Sequence, residues 1–158
     1  MRWKRQEGFS LVELAVVLVV AGIVLAIGAP PLVKYMNARK VGDSARILSE
    51  EMRLARQKAV TNGTRNWVYT QYGVSGNQYW TGIQQPLGNG TWSGTSWRGP
   101  IDLPSRTRMI GANFSGLQYF WYDANGRPSG SGLVKVISTI PSVHDTSIVN
   151  VDLSGSVW

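Results

Sequence analysis

The 158-residue chain has no cysteine, so no disulfide can staple it and no thiolate can act as nucleophile or metal ligand. Histidine occurs once, at His144. No His pair therefore exists around which a metal site or a Ser/His/Asp set could be assembled. Neither a P-loop nor a dinucleotide-binding fingerprint is present. Acids number 9 against 16 Lys and Arg. Asp102, Asp123, Asp145 and Asp152 are scattered, as residues that cap turns are. His144 falls in a predicted turn between Pro141 and Thr146 and reads as a surface residue. These absences point away from enzyme chemistry and leave no metal or cofactor to name. No internal repeat is found. The sharpest absence is of charge: no ionisable residue lies between Glu13 and Lys34.

What is present begins at the N-terminus. A short basic leader (Arg2, Lys4, Arg5) ends at Gly8, and an apolar run extends from Phe9 to Val33, interrupted by Glu13. Leu14–Ala29 alone is 16 apolar residues, about 24 Å of helix, and with its flanks it can span a bilayer. A carboxylate inside such a segment costs roughly 2.5–3.5 kcal/mol, which suggests a role for it. Glu13 lies four residues after Phe9, one helical turn along the same face. If the chain is cut after Gly8, the carboxylate can neutralise the new Phe9 amine or that of a neighbouring subunit. On the residues alone, an ordinary signal anchor with Glu13 near the interface stays open. A secretory signal peptide is a further alternative, but no small-x-small site follows the run. Gly22 and Ala26 form a small-xxx-small pair that permits close helix contact. Pro30-Pro31 predicts a kink or local opening.

Residues 34–62 predict an amphipathic helix. Ala38, Val41, Ala45, Leu48, Met52, Ala55 and Ala59 recur at spacings of three and four. The opposite, solvated face holds Arg39, Arg46, Glu50, Arg53 and Lys58. Gly42 predicts a weak point or bend, and Asn62-Gly63 a C-cap. The net charge of +7 is concentrated in the leader and in this helix. Lys34, Arg39 and Lys40 read as a phospholipid-facing collar.

From Gly63 the texture becomes Gly, Ser, Thr, Asn and aromatics. Strands are predicted at Trp67–Tyr72, Gln78–Ile83, Arg106–Ile110, Leu117–Tyr122, Leu133–Thr139 and Ser147–Leu153. Residues 84–100 read as a long loop or hairpin, and Asn125-Gly126 as a turn. The fold class is α+β: a long N-terminal helix, half membrane-spanning and half amphipathic, packed on an all-antiparallel β-sheet head.

The run Gly8-Phe9-Ser10-Leu11-Val12-Glu13-Leu14 resembles the class III signal of type IV prepilins and type II secretion pseudopilins. The resemblance implies cleavage between Gly8 and Phe9, N-methylation of Phe9, and assembly roles for Glu13 and Pro30. Two further stretches, Ser44–Gly63 and the aromatic strand with its Gly-Arg turn, Phe120–Pro128, resemble the H-type family (GspH/FimT) of minor pilins and pseudopilins. The absence of cysteine departs from many major pilins and favours a minor one. The implied organisation is leader 1–8, assembly helix 9–33, stem helix 34–62 and β-rich head 63–158. The implied partners are other pilins or pseudopilins, prepilin peptidase and the inner-membrane assembly platform. The implied location is the bacterial inner membrane, N-terminus cytoplasmic and head periplasmic or external, and then a pilus or pseudopilus. A DNA-uptake receptor is the alternative function. Its contacts would be Arg106, Arg108 and Arg127, with Trp92, Trp97 and Trp121 as a stacking surface. The tail Gly155-Ser156-Val157-Trp158 lacks the basic segment of FimT-type DNA binders, so DNA enters as a weak partner, and these tryptophans are expected to fill the core or loop bases.

Overall fold

In the computed structural model, residues 10–73, 76–141 and 143–158 are described. One helix, α1 (Leu11–Asn62), precedes seven strands: β1 (Arg65–Gln71), β2 (Gln78–Gln84), β3 (Ser96–Asp102), β4 (Thr107–Phe114), β5 (Tyr119–Tyr122), β6 (Gly132–Ser138) and β7 (Thr146–Val151). The chain divides between Met36 and Asn37 into two units. In the first, every described side chain is exposed. The helix is continuous through Pro30 and Pro31, where the sequence predicts a kink or an opening. The two prolines remove the amides that would bond the carbonyls of Ala26 and Ile27, yet the flanking turns keep the helical path. Gly42 likewise leaves the helix unbroken.

In the second unit, α1 buries Asn37, Val41, Ser44, Leu48, Met52, Ala55 and Ala59, one stripe at the spacing the sequence predicts. Ala38 and Ala45, also on the expected stripe, are half-buried. The Ser44 hydroxyl of the stripe is satisfied by the helix and the head together. Ser44 Oγ lies 2.9 Å from Thr107 Oγ1 and 2.8 Å from the Lys40 carbonyl, and Thr107 donates to the Pro104 carbonyl at 2.6 Å. On the opposite face, Arg46 pairs with Glu50 at 2.8 Å, both exposed, where solvent screens the pair and it adds little to stability. The helix stops as expected. Gly63 takes φ +62°, and the Thr64 amide reaches back to the Ala59 carbonyl at 3.1 Å, a Schellman closure that a side chain at 63 would strain.

The head has two antiparallel sheets, ordered β3-β2-β1-β5 and β4-β6-β7. Two differences from the sequence reading stand out. The strands do not form one sheet but two, and the stretch read as a loop or hairpin contains β3. That strand escapes the pattern because it is an exposed edge with no alternation, and it carries Gly99-Pro100, which only an edge tolerates. β4 also runs past Ile110 to Phe114, through an irregularity between Met109 and Gly111. One core joins α1 to both sheets, with Leu48, Met52, Val68, Met109, Phe114, Phe120, Tyr122, Val134 and Val136 at its centre. Phe120 links the layers, 4.4 Å from Phe114 and 5.2 Å from Tyr122 between ring centroids.

Leu48 has 0% exposure. Leu48→Ala is expected to cost about 2–5 kcal/mol, measured by denaturant or thermal unfolding of the head. The Tyr122 hydroxyl is buried without a hydrogen-bond partner among the described residues. Tyr122→Phe is therefore expected to be neutral or to stabilise by about 1 kcal/mol. Burial pushes the Tyr79 phenol up to about 12 and raises that of Tyr122 further, against an ordinary value of 10.0. The unfolded tyrosines lose their protons first. Stability from this source is whole below about pH 10 and is lost as pH rises through about 12. Tyr122→Phe should flatten that alkaline decline, and an unfolding series from pH 8 to 12 would show it.

Candidate assembly segment and head surfaces

The first turn of α1 is closed by its own side chains. The Ser10 hydroxyl accepts the Val12 amide at 3.2 Å, and the Glu13 carboxylate accepts the Ser10 amide at 2.9 Å. This reciprocal arrangement is a capping box, which satisfies amides that a helix start otherwise leaves open. The spacing Ser10-x-x-Glu13 carries that signal, and the sequence reading did not take it up. Glu13 also lies where the helix dipole favours an anion. From Leu11 onward the segment is long and apolar enough to cross a membrane, and none of its most apolar stretch is buried. Nothing lies within 4 Å of where a Cβ on Gly22 would stand, so a second helix can approach there. Pro30 lies on this exposed segment. Gly8 and Phe9, the expected processing residues, lie outside the described residues.

The three head arginines are not gathered into one site. Arg106 is exposed, with φ +70°, and its carbonyl accepts the Thr139 amide at 2.9 Å. Arg108 is half-buried and lines an open hollow of about 530 Å³ with His144 and Asp145. Arg127 is exposed in the Asp123 turn, where its amide donates to Asp123 Oδ1 at 2.8 Å. Thr107, between the first two, touches Ser44, whereas Gly126, beside the third, touches Arg56. Ser44 and Arg56 stand twelve residues apart on α1, about 18 Å along the axis.

Other cations are committed to structure. Arg53 is exposed on the solvated face, as expected, and its Nη2 donates to the Val157 carbonyl at 2.6 Å. Arg56 donates from Nε to the Gly126 carbonyl at 3.1 Å and from Nη2 to that of Ser154 at 3.0 Å. The pair clamps the stem to the last turns of the chain. Asp123 and Asp152 cap turns as the sequence suggests. The Ser154 hydroxyl, with the amides of Ser154, Gly155 and Ser156, holds the Asp152 carboxyl below its usual range. His144 is exposed, as expected.

Of the three tryptophans expected to fill the core or loop bases, Trp92 lies in the loop between β2 and β3, bridged to Pro86, whereas Trp97 and Trp121 do neither. With Trp67 and Trp80 they stand on the outer face of the four-stranded sheet. In β1 the ordinary alternation is inverted. Asn66, Val68 and Thr70 are buried, while Arg65, Trp67, Tyr69 and Gln71 are only half-buried on the other face. Register aligns Trp97, Gly82, Trp67 and Trp121 in a row across the sheet. A Cβ on Gly82 would collide with Thr95 and the Trp97 ring, so the glycine is what lets Trp97 lie down toward Trp67. Trp67 stacks 4.5 Å from Trp121 and 5.5 Å from Tyr119, with Trp97 at 6.4 Å, edge on. In the adjoining row Tyr69 meets Trp80 at 5.2 Å. Arg65 lies over the Trp92 ring at 4.2 Å. Period two through Trp67 and Tyr69 was the available signal, masked because aromatic residues in a strand read as core.

Residues 3–29 match the family model described as the prokaryotic N-terminal methylation motif. The fold is similar to that of the type IV minor pilin FimU of Pseudomonas aeruginosa. The TM-score is 0.54 at 12% identity, covering 78% of this chain and 90% of that one. Another crystal form of the same protein gives 0.50 at 13% identity, covering 74% and 90%. The minor pseudopilin EpsH from the type II secretion system of Vibrio cholerae gives 0.50 at 9% identity, covering 76% and 92%. No curated protein sequence matches the chain. The chain thus carries a methylation motif on a pilin-type fold, one long N-terminal helix packed on antiparallel sheets.

Proposed function

We propose that the chain is a structural minor pilin or pseudopilin, assembled through its N-terminal helix into a type IV pilus or a type II secretion pseudopilus. The observation that carries the reading is the methylation motif at residues 3–29, which from Leu11 onward is an apolar helix whose side chains are uncovered among the described residues. Such a surface needs lipid before assembly and neighbouring helices after it. The motif and the apolar helix fit anchoring in the inner membrane, and on this reading the N-terminus faces the cytoplasm and the head the periplasm or exterior. Prepilin peptidase cuts between Gly8 and Phe9, Phe9 is methylated, and an inner-membrane platform draws the subunit into the filament beside other pilins.

The capping box gives Glu13 two successive duties. Before assembly its carboxylate is held by the Ser10 amide. In an apolar bundle that neutral donor only partly offsets a buried charge, and a cationic Phe9 amine from a neighbour is the stronger partner. Exchange of one partner for the other couples the start of the helix to subunit docking. A DNA-receptor reading gains no support from the head, where Arg127 stands apart from Arg106 and Arg108 and no continuous cation track follows.

Two measurements test the proposal. Gly8 replaced by a bulky residue should retain the leader, so that mass spectrometry finds the unprocessed chain. A mature chain beginning with methylated Phe9 from that variant would remove the assignment. Glu13→Val lowers the cost of insertion and should still reach the membrane, yet enter purified filaments at a small fraction of the wild-type level. Equal incorporation would show that the carboxylate has no part in assembly.

A further inference from the structure

The outer face of the four-stranded sheet carries more exposed aromatic surface than the fold requires. Six rings, those of Trp67, Tyr69, Trp80, Trp97, Tyr119 and Trp121, form two contacting rows that contribute nothing to the core beneath. Trp97 remains 50% exposed. Between Tyr69, Trp80, Trp97 and Gly99 lies an open cleft of about 430 Å³, within the size range of small-ligand sites. Its surroundings are amides and a carboxylate. Gln78, two residues before Trp80 on the same strand face, donates to Asp102 at 2.9 Å, and the Tyr69 hydroxyl donates to Gln118 at 3.4 Å.

We propose that this shelf binds a neutral polysaccharide. The axial C–H faces of its pyranose rings stack on Trp97, Trp80 and Tyr69, and its hydroxyls hydrogen-bond to Gln78, Asp102 and Gln118. Aromatic faces attract the weakly positive C–H groups of a sugar ring, and amide and carboxylate groups match hydroxyls that both donate and accept. The local charge selects a neutral ligand. Arg65 is stacked over Trp92 at 4.2 Å and lies 5.9 Å from the Trp121 ring, on β1 and β5 rather than at the cleft, and Arg98, paired with Thr81, points to the opposite face of the sheet from Trp97. A nucleic acid stacking here would need a run of cations along the bases, and the remaining head arginines lie at the start of β4, in the turn before it and in the Asp123 turn. The inference stands on the shelf alone and goes beyond the filament reading.

The test uses full-length protein in an amine-oxide detergent, which has no sugar headgroup to compete. Cellohexaose, chitohexaose and maltohexaose are titrated separately, followed by tryptophan fluorescence and calorimetry, with the twelve-residue oligothymidylate as the nucleic-acid probe. The expected result is saturable binding of at least one hexaose with little dependence on salt. Trp97→Ala should weaken it about fivefold or more, the lower end of what one stacking contact contributes. Trp97→Tyr, which keeps a ring, should retain most of it, and circular dichroism of both variants should match wild type. Saturation by none of the three hexaoses, or unchanged affinity in Trp97→Ala, overturns the proposal. Steeply salt-dependent oligothymidylate binding that Trp97→Ala abolishes overturns it in favour of a nucleic-acid ligand. Filament incorporation of Trp97→Ala, measured alongside, separates failure of this inference from failure of the pilin reading.

Discussion

The buried seam along the second half of α1 is the constraint on which the head depends. Leu48 and Met52 lose all accessible surface against strands from both sheets, and neither sheet could hide its inner face without them. A sheet with one apolar face must bury it against another element, and here the helix supplies that element. The small residues Ala55 and Ala59 bring the last turns of the helix close to that surface. Ser44 and Thr107 meet across the seam at 2.9 Å, and each hydroxyl also reaches a backbone carbonyl nearby in sequence, so the polar contact is fully satisfied where helix and head join.

The same helix answers to two environments, and its sequence changes accordingly. From Leu14 to Val33 it is apolar all round, as a helix surrounded by lipid or by other helices must be. From Lys34 it is apolar on one stripe only. Arg53 and Arg56 then use the far side of the stem to hold the carbonyls of Gly126, Ser154 and Val157. Charge-assisted bonds to backbone carbonyls are stronger than neutral ones, and here they secure the segment beside β7, whose outer edge the chain's own end covers through Val157 and Trp158.

The legible parts of the fold were those with a period longer than a few residues. The stripe Val41-Leu48-Met52-Ala55-Ala59, the cap at Gly63 and six strands could be read because spacing alone specifies them. β3 could not, since an exposed edge strand containing Gly99 and Pro100 has no buried face to impose alternation. The division into two sheets was also invisible, because sheet membership is set by long-range pairing that strand composition does not encode. Among the site residues, Glu13 stood out by its isolation. Its hydrogen bond to Ser10 was present in the sequence as a capping spacing, overshadowed by the larger question of a charge in an apolar segment. The arginines were harder: Arg53 and Arg56 look solvated on a helical wheel, and only the returning C-terminal turn gives them partners.

The aromatic shelf shows where pattern reading inverts. Strand periodicity assumes that the larger apolar side chains of each pair face inward. In β1 the inward set is Asn66, Val68 and Thr70, small enough to lie under α1, and Asn66 is satisfied by Thr64 at 2.8 Å. Trp67 and Tyr69 alternate with these and so stand on the outer face. There each ring shields its neighbours, so that none but Trp97 is as much as half exposed although nothing covers them. The inner face takes its aromatics from Tyr79, Phe120 and Tyr122 on β2 and β5, and β1, in alternation with its buried Asn66, Val68 and Thr70, leaves its own to a surface that can bind something else.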